Sequence, residues 1–426
     1  MNSEADGTGA QPAAVIWSDD FLGYRWTPAH PMNPIRLALT MSLSRSLGIL
    51  DGVETTPPID VDDRLLQTVH TSSFIDAVRS ASSVDDYVGG ATHLLERLFG
   101  LGGADNPVFE GMHNAAGVLV GGTMAAAAAI ASGSVRRAVN IGGGMHHAMP
   151  GHAAGFCIYN DCAVAIRWLL EQGYDRIAYI DIDAHHGDGV QKVFAADPRV
   201  LTVSLHQHPA TLWPGSGWPE EVGEHDGRGS AVNIALMPET TDKLWLRAFH
   251  AVVPGMIESF RPQIIVSQCG VDSHRRDPLT DLSLTVDGQR AAILAMRDLA
   301  DTYAEGRWLA VGGGGYGIVD VVPRSWTHLI AAVTGHDIDP ATTIDETWCR
   351  AATAESQLLD ETLRSDPVNS MSDGGATDYL PWDGDGGGPL MSGVTDAAQT
   401  RTDATIMATR RAVYPLSGLD PEDPRD

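Results

Sequence analysis

The chain has 426 residues, 43% of them hydrophobic and 19% charged, with a mean hydropathy near zero, the balance of a globular protein able to bury a large core. Its 55 acidic residues against 28 basic ones leave a formal charge of −27, which argues against a nucleic-acid surface or docking on anionic lipid and suits a cationic partner or simple solubility. The cysteines Cys157, Cys162, Cys269 and Cys349 form no CxxC pair, and the start Met1-Asn-Ser-Glu-Ala-Asp6 lacks a secretory pattern, so a reducing cytosol is the expected compartment.

Residues 1–12 are small and polar and are expected to be disordered. Short apolar runs rich in Val and Ile then predict strands at 13–17, 135–142, 176–183, 200–206, 231–236, 263–269 and 308–312. Apolar residues at helical spacing predict helices over 34–47, 64–80, 160–171, 242–260 and 286–304. The uncharged stretch 112–135 is long enough to span a membrane, but its Gly and Ala content, with His113, Asn114, Thr123 and Ser132, reads better as a small-residue helix inside a core. Near-continuously apolar strands alternating with helices need both sheet faces covered, which predicts one doubly wound, mostly parallel α/β domain over 13–365. From 366 to 400 the composition shifts to Gly, Asp, Ser and Pro, including Asp383-Gly-Asp-Gly-Gly-Gly-Pro389, and predicts a linker too poor in apolar residues to offset its ordering entropy. The tail 401–426 regains Ile406, Met407, Val413, Tyr414 and Leu416 and is read either as a short docked helix or as a free end.

Ligands of open α/β sheets bind beyond the carboxyl ends of strands, so polar clusters just after strand patterns mark the expected active site. Gly142-Gly-Gly-Met-His-His147, Asp181-Ile-Asp-Ala-His-His-Gly-Asp-Gly189, Val271-Asp272 and Gly312-Gly-Gly-Gly-Tyr316 are such clusters. Strand alternation sends Asp181, Asp183 and His185 to one side, and carboxylates buried there need a compensating charge. With Asp272 from another strand end, Asp183 and His185 make a one-His, two-carboxylate set with open positions, as a catalytic zinc site requires. His146 and His147 become a general acid–base pair if each has its own carboxylate to hold its tautomer and raise its pKa, and Asp181 and Asp188 are available for this. Tyr316, after four glycines, can offer a phenol to an oxyanion. No Lys-Ser or Lys-Thr follows Gly312–Gly315, so a phosphate loop is disfavoured.

The strings His30-Pro-Met-Asn-Pro-Ile-Arg36, Asp105-Asn-Pro-Val-Phe109, Gly155-Phe-Cys-Ile-Tyr-Asn-Asp161, Gln268-Cys-Gly-Val-Asp272 and Asp277-Pro-Leu279, with the histidine, aspartate and glycine clusters above, resemble the zinc-dependent histone deacetylase family and within it the bacterial acetoin-utilisation deacetylases. The resemblance runs in order from about residue 14 to 350. It implies an arginase/deacetylase-like fold and hydrolysis of acetyl-lysine to lysine and acetate, with zinc, or iron in its place, on Asp183, His185 and Asp272. It implies that His147 with Asp188 moves the proton, that His146 with Asp181 gives electrostatic support, and that Tyr316 stabilises the oxyanion. It further implies that Gly155, Phe156, Trp213 and Leu279 line the lysine channel, that Asp105 holds the substrate backbone at the rim, and that Arg36 lies below the metal near the acetate path. The family's potassium ions map onto Asp181, Asp183, His185, Ser204 and Leu205 for an inner site, and onto Phe194, Asp197 and Val200 for an outer one.

Departures are Met145, where many members have a larger aromatic, Trp213, where a Phe is common, and Asn33, where a basic residue is common; they bear on acyl and substrate preference. An arginase-like two-metal site would need a carboxylate where Gly187 stands. Acetylpolyamine hydrolysis would use the same catalytic residues. An inactive acetyl-lysine-binding scaffold would have lost a ligand, a dyad histidine or Tyr316, and none is missing. The expected partner is an acetylated cytosolic protein, with acetyl-CoA synthetase suggested by the resemblance.

Overall fold

The computed structural model describes residues 13–83, 91–384 and 388–426, so the expectation for residues 1–12 lies outside the described residues. The strands are β1 (Ala13–Ile16), β2 (Thr55–Thr56), β3 (Arg137–Asn140), β4 (Ile177–Asp181), β5 (Val200–Gln207), β6 (Ala231–Leu236), β7 (Ile264–Gln268) and β8 (Trp308–Val311). They form one eight-stranded sheet in the order β2-β1-β3-β8-β7-β4-β5-β6, with every pairing parallel. The inner strands are buried along their whole length, which is why they read as largely apolar runs without a polar face. The short edge strand β2 has two exposed threonines and no apolar pattern; its register with β1, Val15 opposite Thr55, recruits it.

The helices are α1 (Ile35–Ser46), α2 (Asp63–Leu66), α3 (Ser72–Ala81), α4 (Ala91–Phe99), α5 (Met112–Ala131), α6 (Asp161–Glu171), α7 (Asp188–Phe194), α8 (Asp242–Phe260), α9 (Val286–Tyr303), α10 (Val322–Thr334), α11 (Glu346–Ser356) and α12 (Asp396–Val413). α5, α6 and α7 pack on one another and on strands of one sheet face; α1, α8, α9 and α10 form the opposite layer. This is the doubly wound α/β architecture expected from the sequence. α5 is long and apolar enough to cross a membrane by length and composition, but here it packs on β1, β3 and α6. Its glycines permit that approach: a Cβ on Gly122 would lie 2.7 Å from the Asn140 side-chain nitrogen on β3.

Three differences from the sequence reading have physical causes. The predicted helix over 64–80 is two helices, because Thr71 caps a new start by accepting the Phe74 N–H, and its own N–H bonds the Pro150 carbonyl. α10 lies outside the predicted helices: all of Val322–Thr334 is buried, and its polar residues Arg324, Ser325, Thr327 and His328 bond partners inside the protein instead of marking a solvent face. The stretch 366–384 carries no helix or strand, yet Met371 and Trp382 are buried in the main core and Asp373 is buried among charged partners. A few large anchors hold what composition alone reads as a linker. α12 then docks on α8 and β6: Thr405 and Thr409 donate to the carbonyls of Ala235 and Asn233 at 3.2 and 2.6 Å, and Arg247 pairs with Asp403 at 2.7 Å.

Candidate metal and acid–base centre

The sheet order puts β3, β8, β7 and β4 side by side, so the loops leaving their carboxyl ends meet although they come from residues 142–147, 312–316, 270–272 and 182–188. Asp183, His185 and Asp272 each aim a donor atom at one point, all within 4.8 Å of one another. Both carboxylates are fully buried. His185 Nδ1 lies 3.1 Å from Asp183 Oδ1 and 3.0 Å from Asp272 Oδ2. The other oxygens are held by donors: Gln268 Nε2 and the Gly314 N–H each reach Asp183 Oδ2 at 2.8 Å, and the Ala184 N–H reaches Asp272 Oδ1 at 2.7 Å. Burial and the charge of Asp183 push the Asp272 carboxyl up to about 6. Burial opposes charge on His185, but hydrogen bonds to the two carboxylates carry it to about 10. Two buried negative charges thus share one positive partner, and one divalent ion fits this oxygen and nitrogen set.

Beside the cluster stand the two histidines that follow β3. His146 Nδ1 bonds Asp181 Oδ2 at 2.8 Å and His147 Nδ1 bonds Asp188 Oδ1 at 2.7 Å, with the two rings 3.9 Å apart. Their acidities diverge. Burial works against charge on His146, but Asp181 and Asp183 carry it up to about 9. For His147, burial and then the charge of His146 outweigh Asp188 and bring it down to about 4. A carboxylate partner therefore does not raise both histidines, as the sequence reading expected, because adjacent imidazoles that close cannot both be cationic. At neutral pH His147 is the uncharged member, with Nε2 free to accept a proton.

The wall of the site is built from Gly155, Phe156, Trp213 and Tyr316. Trp213 packs edge-on to His147 with centroids 4.6 Å apart, and Phe156 packs on Tyr316 at 5.6 Å. Gly155 and Phe156 both have positive φ, 51° and 67°, and Tyr24 secures this turn by donating to the Phe156 carbonyl and accepting the Ile158 N–H. Trp213 and Leu279 are 46% and 38% exposed. Asp105 is exposed, and its carbonyl accepts from His30, whose ring packs on Phe156. Arg36 is buried, donates to the Gly315 carbonyl at 2.9 Å and lies over Trp326. Asp277 takes the backbone N–H groups of Tyr316 and Leu279, at 2.8 and 3.0 Å, and so ties the phenol to the channel wall.

Of the residues expected to hold potassium, Ser204 pairs with Asp181 across β4 and β5, and Leu205 follows it on β5. Phe194, Asp197 and Val200 form a turn in which the Phe194 and Asp197 carbonyls accept backbone bonds from Asp197 and Val200, while the Asp197 carboxylate pairs with Arg167 and Arg199. Sequence reasoning assigned no role to Tyr179, which donates to Asp181 Oδ2 at 2.6 Å, nor to Gln268, Tyr24 and Asp277. Tyr179 carried one readable signal, since it lies two residues before Asp181 on the same strand and shares its face.

The histone deacetylase domain profile matches residues 30–333. The chain is 40% identical over 336 residues to the acetoin utilization protein AcuC of Bacillus subtilis, covering 79% of this chain and 85% of that protein. It is 38% identical over 338 residues to AcuC of Staphylococcus xylosus, covering 79% and 86%. Among solved structures it superposes on a histone deacetylase homologue from Aquifex aeolicus with a TM-score of 0.75 at 26% identity, covering 92% of this chain and 99% of that one. A histone deacetylase homologue complexed with SAHA gives 0.76, also at 26% identity, with 93% and 100% covered. With Asp183, His185 and Asp272 as its candidate metal-binding cluster, the chain belongs to the histone deacetylase domain family.

Proposed function

We propose that this protein is a zinc-dependent lysine deacetylase that hydrolyses the acetyl amide of acetylated lysine side chains in proteins. The observation that carries the reading is the placement of a carboxylate-held imidazole, His147, and a phenol, Tyr316, beside the buried candidate metal cluster and the aromatic rings of Trp213 and Phe156.

Asp183, His185 and Asp272 would hold zinc, or iron(II), which would supply Lewis-acid polarisation of the amide carbonyl and of the attacking water. His147 Nε2 accepts the water proton as the C–O bond forms and returns it to the lysine nitrogen as the C–N bond breaks. Asp188 holds His147 in the tautomer that leaves Nε2 free, while His146, charged on Asp181, adds positive potential. The Tyr316 hydroxyl donates to the oxygen that becomes negative. Its own acidity is weakened by burial and by the negative charges of Asp272 and Asp183, so it stays a donor. Gly155, Phe156, Trp213 and Leu279 take the apolar lysine stem, Asp105 takes the backbone at the rim, and buried Arg36 draws acetate away below. A potassium ion on Asp181, Asp183, His185, Ser204 and Leu205 would add structural charge balance, with Phe194, Asp197 and Val200 as a second site. The name of the AcuC relatives ties them to acetoin utilization; the substrate we propose is an acetylated cytosolic protein, with acetyl-CoA synthetase, which the sequence resemblance suggests, first to test.

The test is metal content of the purified protein together with acetate release from an acetyl-lysine peptide, before and after chelation and after zinc or iron(II) add-back. One metal per chain with chelator-sensitive, restorable release is expected. Release from acetylpolyamines alone, or two metals per chain, would overturn the reading.

A further inference from the structure

The loop that leaves Asp272 carries much of the site on a short length of chain: Asp272 itself, Asp277, which holds the Tyr316 and Leu279 backbones, and Leu279 at the mouth. It lacks regular structure of its own. It closes through a bridge between His274 and Leu284, with the Leu284 N–H bonded to the Ser273 carbonyl and the Arg275 N–H to the Leu284 carbonyl. Both ends of this loop rest on a single carboxylate from elsewhere. Asp373 Oδ2 accepts His274 Nε2 at 2.7 Å and the Val286 N–H, at the start of α9, at 3.1 Å. Its other oxygen takes Arg324 Nη1 at 2.8 Å, with Arg276 at 3.7 Å. His274 is fully buried, and the side chains of Asp373 and Arg324 are 5% and 1% exposed. Asp373 is held in turn: its own N–H and that of Gly375 bond Asp287 Oδ2 at 2.9 Å, and the Ser372 hydroxyl donates to Asp287 Oδ1 at 2.7 Å.

Asp373 lies forty residues beyond the stretch matched by the family profile, which ends at residue 333. We propose that Asp373 is a positioning residue for the active site: by gripping His274 and Val286 it fixes the loop that presents Asp272 to the metal and Asp277 to Tyr316, so the strap 366–384 is part of the catalytic apparatus. This rests on the assignment of Asp272 as a metal ligand. A side chain that orients a ligand-bearing loop acts on metal affinity and turnover together, because a shift of a few tenths of an ångström in one ligand loosens the whole set.

A residue that serves only the fold would act differently, and the molecule supplies the comparison. Asp403, on α12, is a similarly buried carboxylate paired with Arg247 at 2.7 Å, and it touches none of the site residues named above. The experiment compares Asp373→Asn with Asp403→Asn in the full-length protein, measuring zinc dissociation by competition with a chromophoric chelator and, separately, kcat and KM on the zinc-loaded enzyme. Both substitutions are expected to lower the melting temperature. Only Asp373→Asn is expected to weaken zinc binding, roughly tenfold, and to lower kcat with KM little changed. His274→Gln, which leaves the Arg324 pair intact, should reproduce the metal defect in milder form and serves where Asp373→Asn folds poorly. Equal zinc affinity in all variants would overturn the proposal, as would an equal loss in Asp373→Asn and Asp403→Asn. If the unaltered protein binds no zinc, the metal reading itself fails, a result distinct from either.

Discussion

At the scale of single residues, the site works by contrast between chemically identical groups. His146 and His147 are neighbours in sequence, each on its own aspartate, yet Asp181 and Asp183 outweigh burial to favour the cation at His146, while burial and the charge of His146 favour the neutral base at His147. Tyr316 has no such twin. Its removal as Tyr316→Phe should leave one metal per chain and a near-native KM while kcat falls on the order of a hundredfold, as checked by metal analysis and steady-state kinetics; near-normal turnover would remove the oxyanion role. Gly155 shows a steric requirement. A Cβ there would lie 2.5 Å from His147 and 2.7 Å from the Trp213 ring, on a backbone with φ of 51°. Gly155→Ala should therefore destabilise by about 2 kcal/mol and displace the tryptophan. Catalytic efficiency should fall further than thermal unfolding alone would suggest. The ligands and dyads were legible as residue types at strand ends, because several titratable groups in so few residues rarely share another purpose. Gln268 and Tyr24 were not, since a lone polar side chain has the same pattern whether it supports the site or merely fills a corner.

At the scale of elements, the C-terminal helix shows how a segment of low hydropathy takes a fixed place. α12 presents threonines to the carbonyls of β6 and thereby covers the last strand of the sheet, a position prone to unwanted pairing when open. Arg410 organises the chain end beyond this helix. It is fully buried between the rings of Trp382 and Tyr414, at 4.5 and 4.1 Å, and donates to the carbonyls of Ala251, Asp420, Pro421 and Asp423. Arg410→Met preserves bulk but leaves these carbonyls unpaired, and should destabilise by about 3 kcal/mol in urea unfolding. Arg410 touches no site residue, so the folded fraction should keep its kcat. An unchanged unfolding midpoint would show that the tail contributes no stability through this side chain. The docked alternative for 401–426 was open in the sequence because its apolar residues are few; the anchoring is done by arginine and threonine donors, which composition counts as surface.

At the scale of the molecule, acid should loosen the protein from the strap inward. Burial opposes ionisation of Asp373, but the hydrogen bond from His274 and the charge of Arg324 outweigh it and hold the carboxyl well below the usual carboxylate range. The unfolded chain takes up this proton near pH 4, while the folded chain resists it. The stability linked to Asp373 is therefore complete above about pH 5 and declines as pH falls through 4 and below. Unfolding free energy measured between about pH 3 and 7 should fall less steeply at the acid end for Asp373→Asn than for the unaltered protein. Parallel curves would show that another group carries the acid response.

The residues by themselves determined the class of fold and the type of chemistry. Alternating apolar strands and helices admit few layered solutions, and carboxylates beside imidazoles at strand ends need a cation or one another. They did not determine that β7 and β8 insert between β3 and β4, the step that brings Asp272 and Tyr316 against Asp183 and His147. Strand order depends on which faces pack best once all are present, a sum over contacts distant in sequence that no local pattern records. The same holds for Asp373: in sequence it is one aspartate in a polar stretch, and only the packed structure sets it against both ends of the loop that presents Asp272.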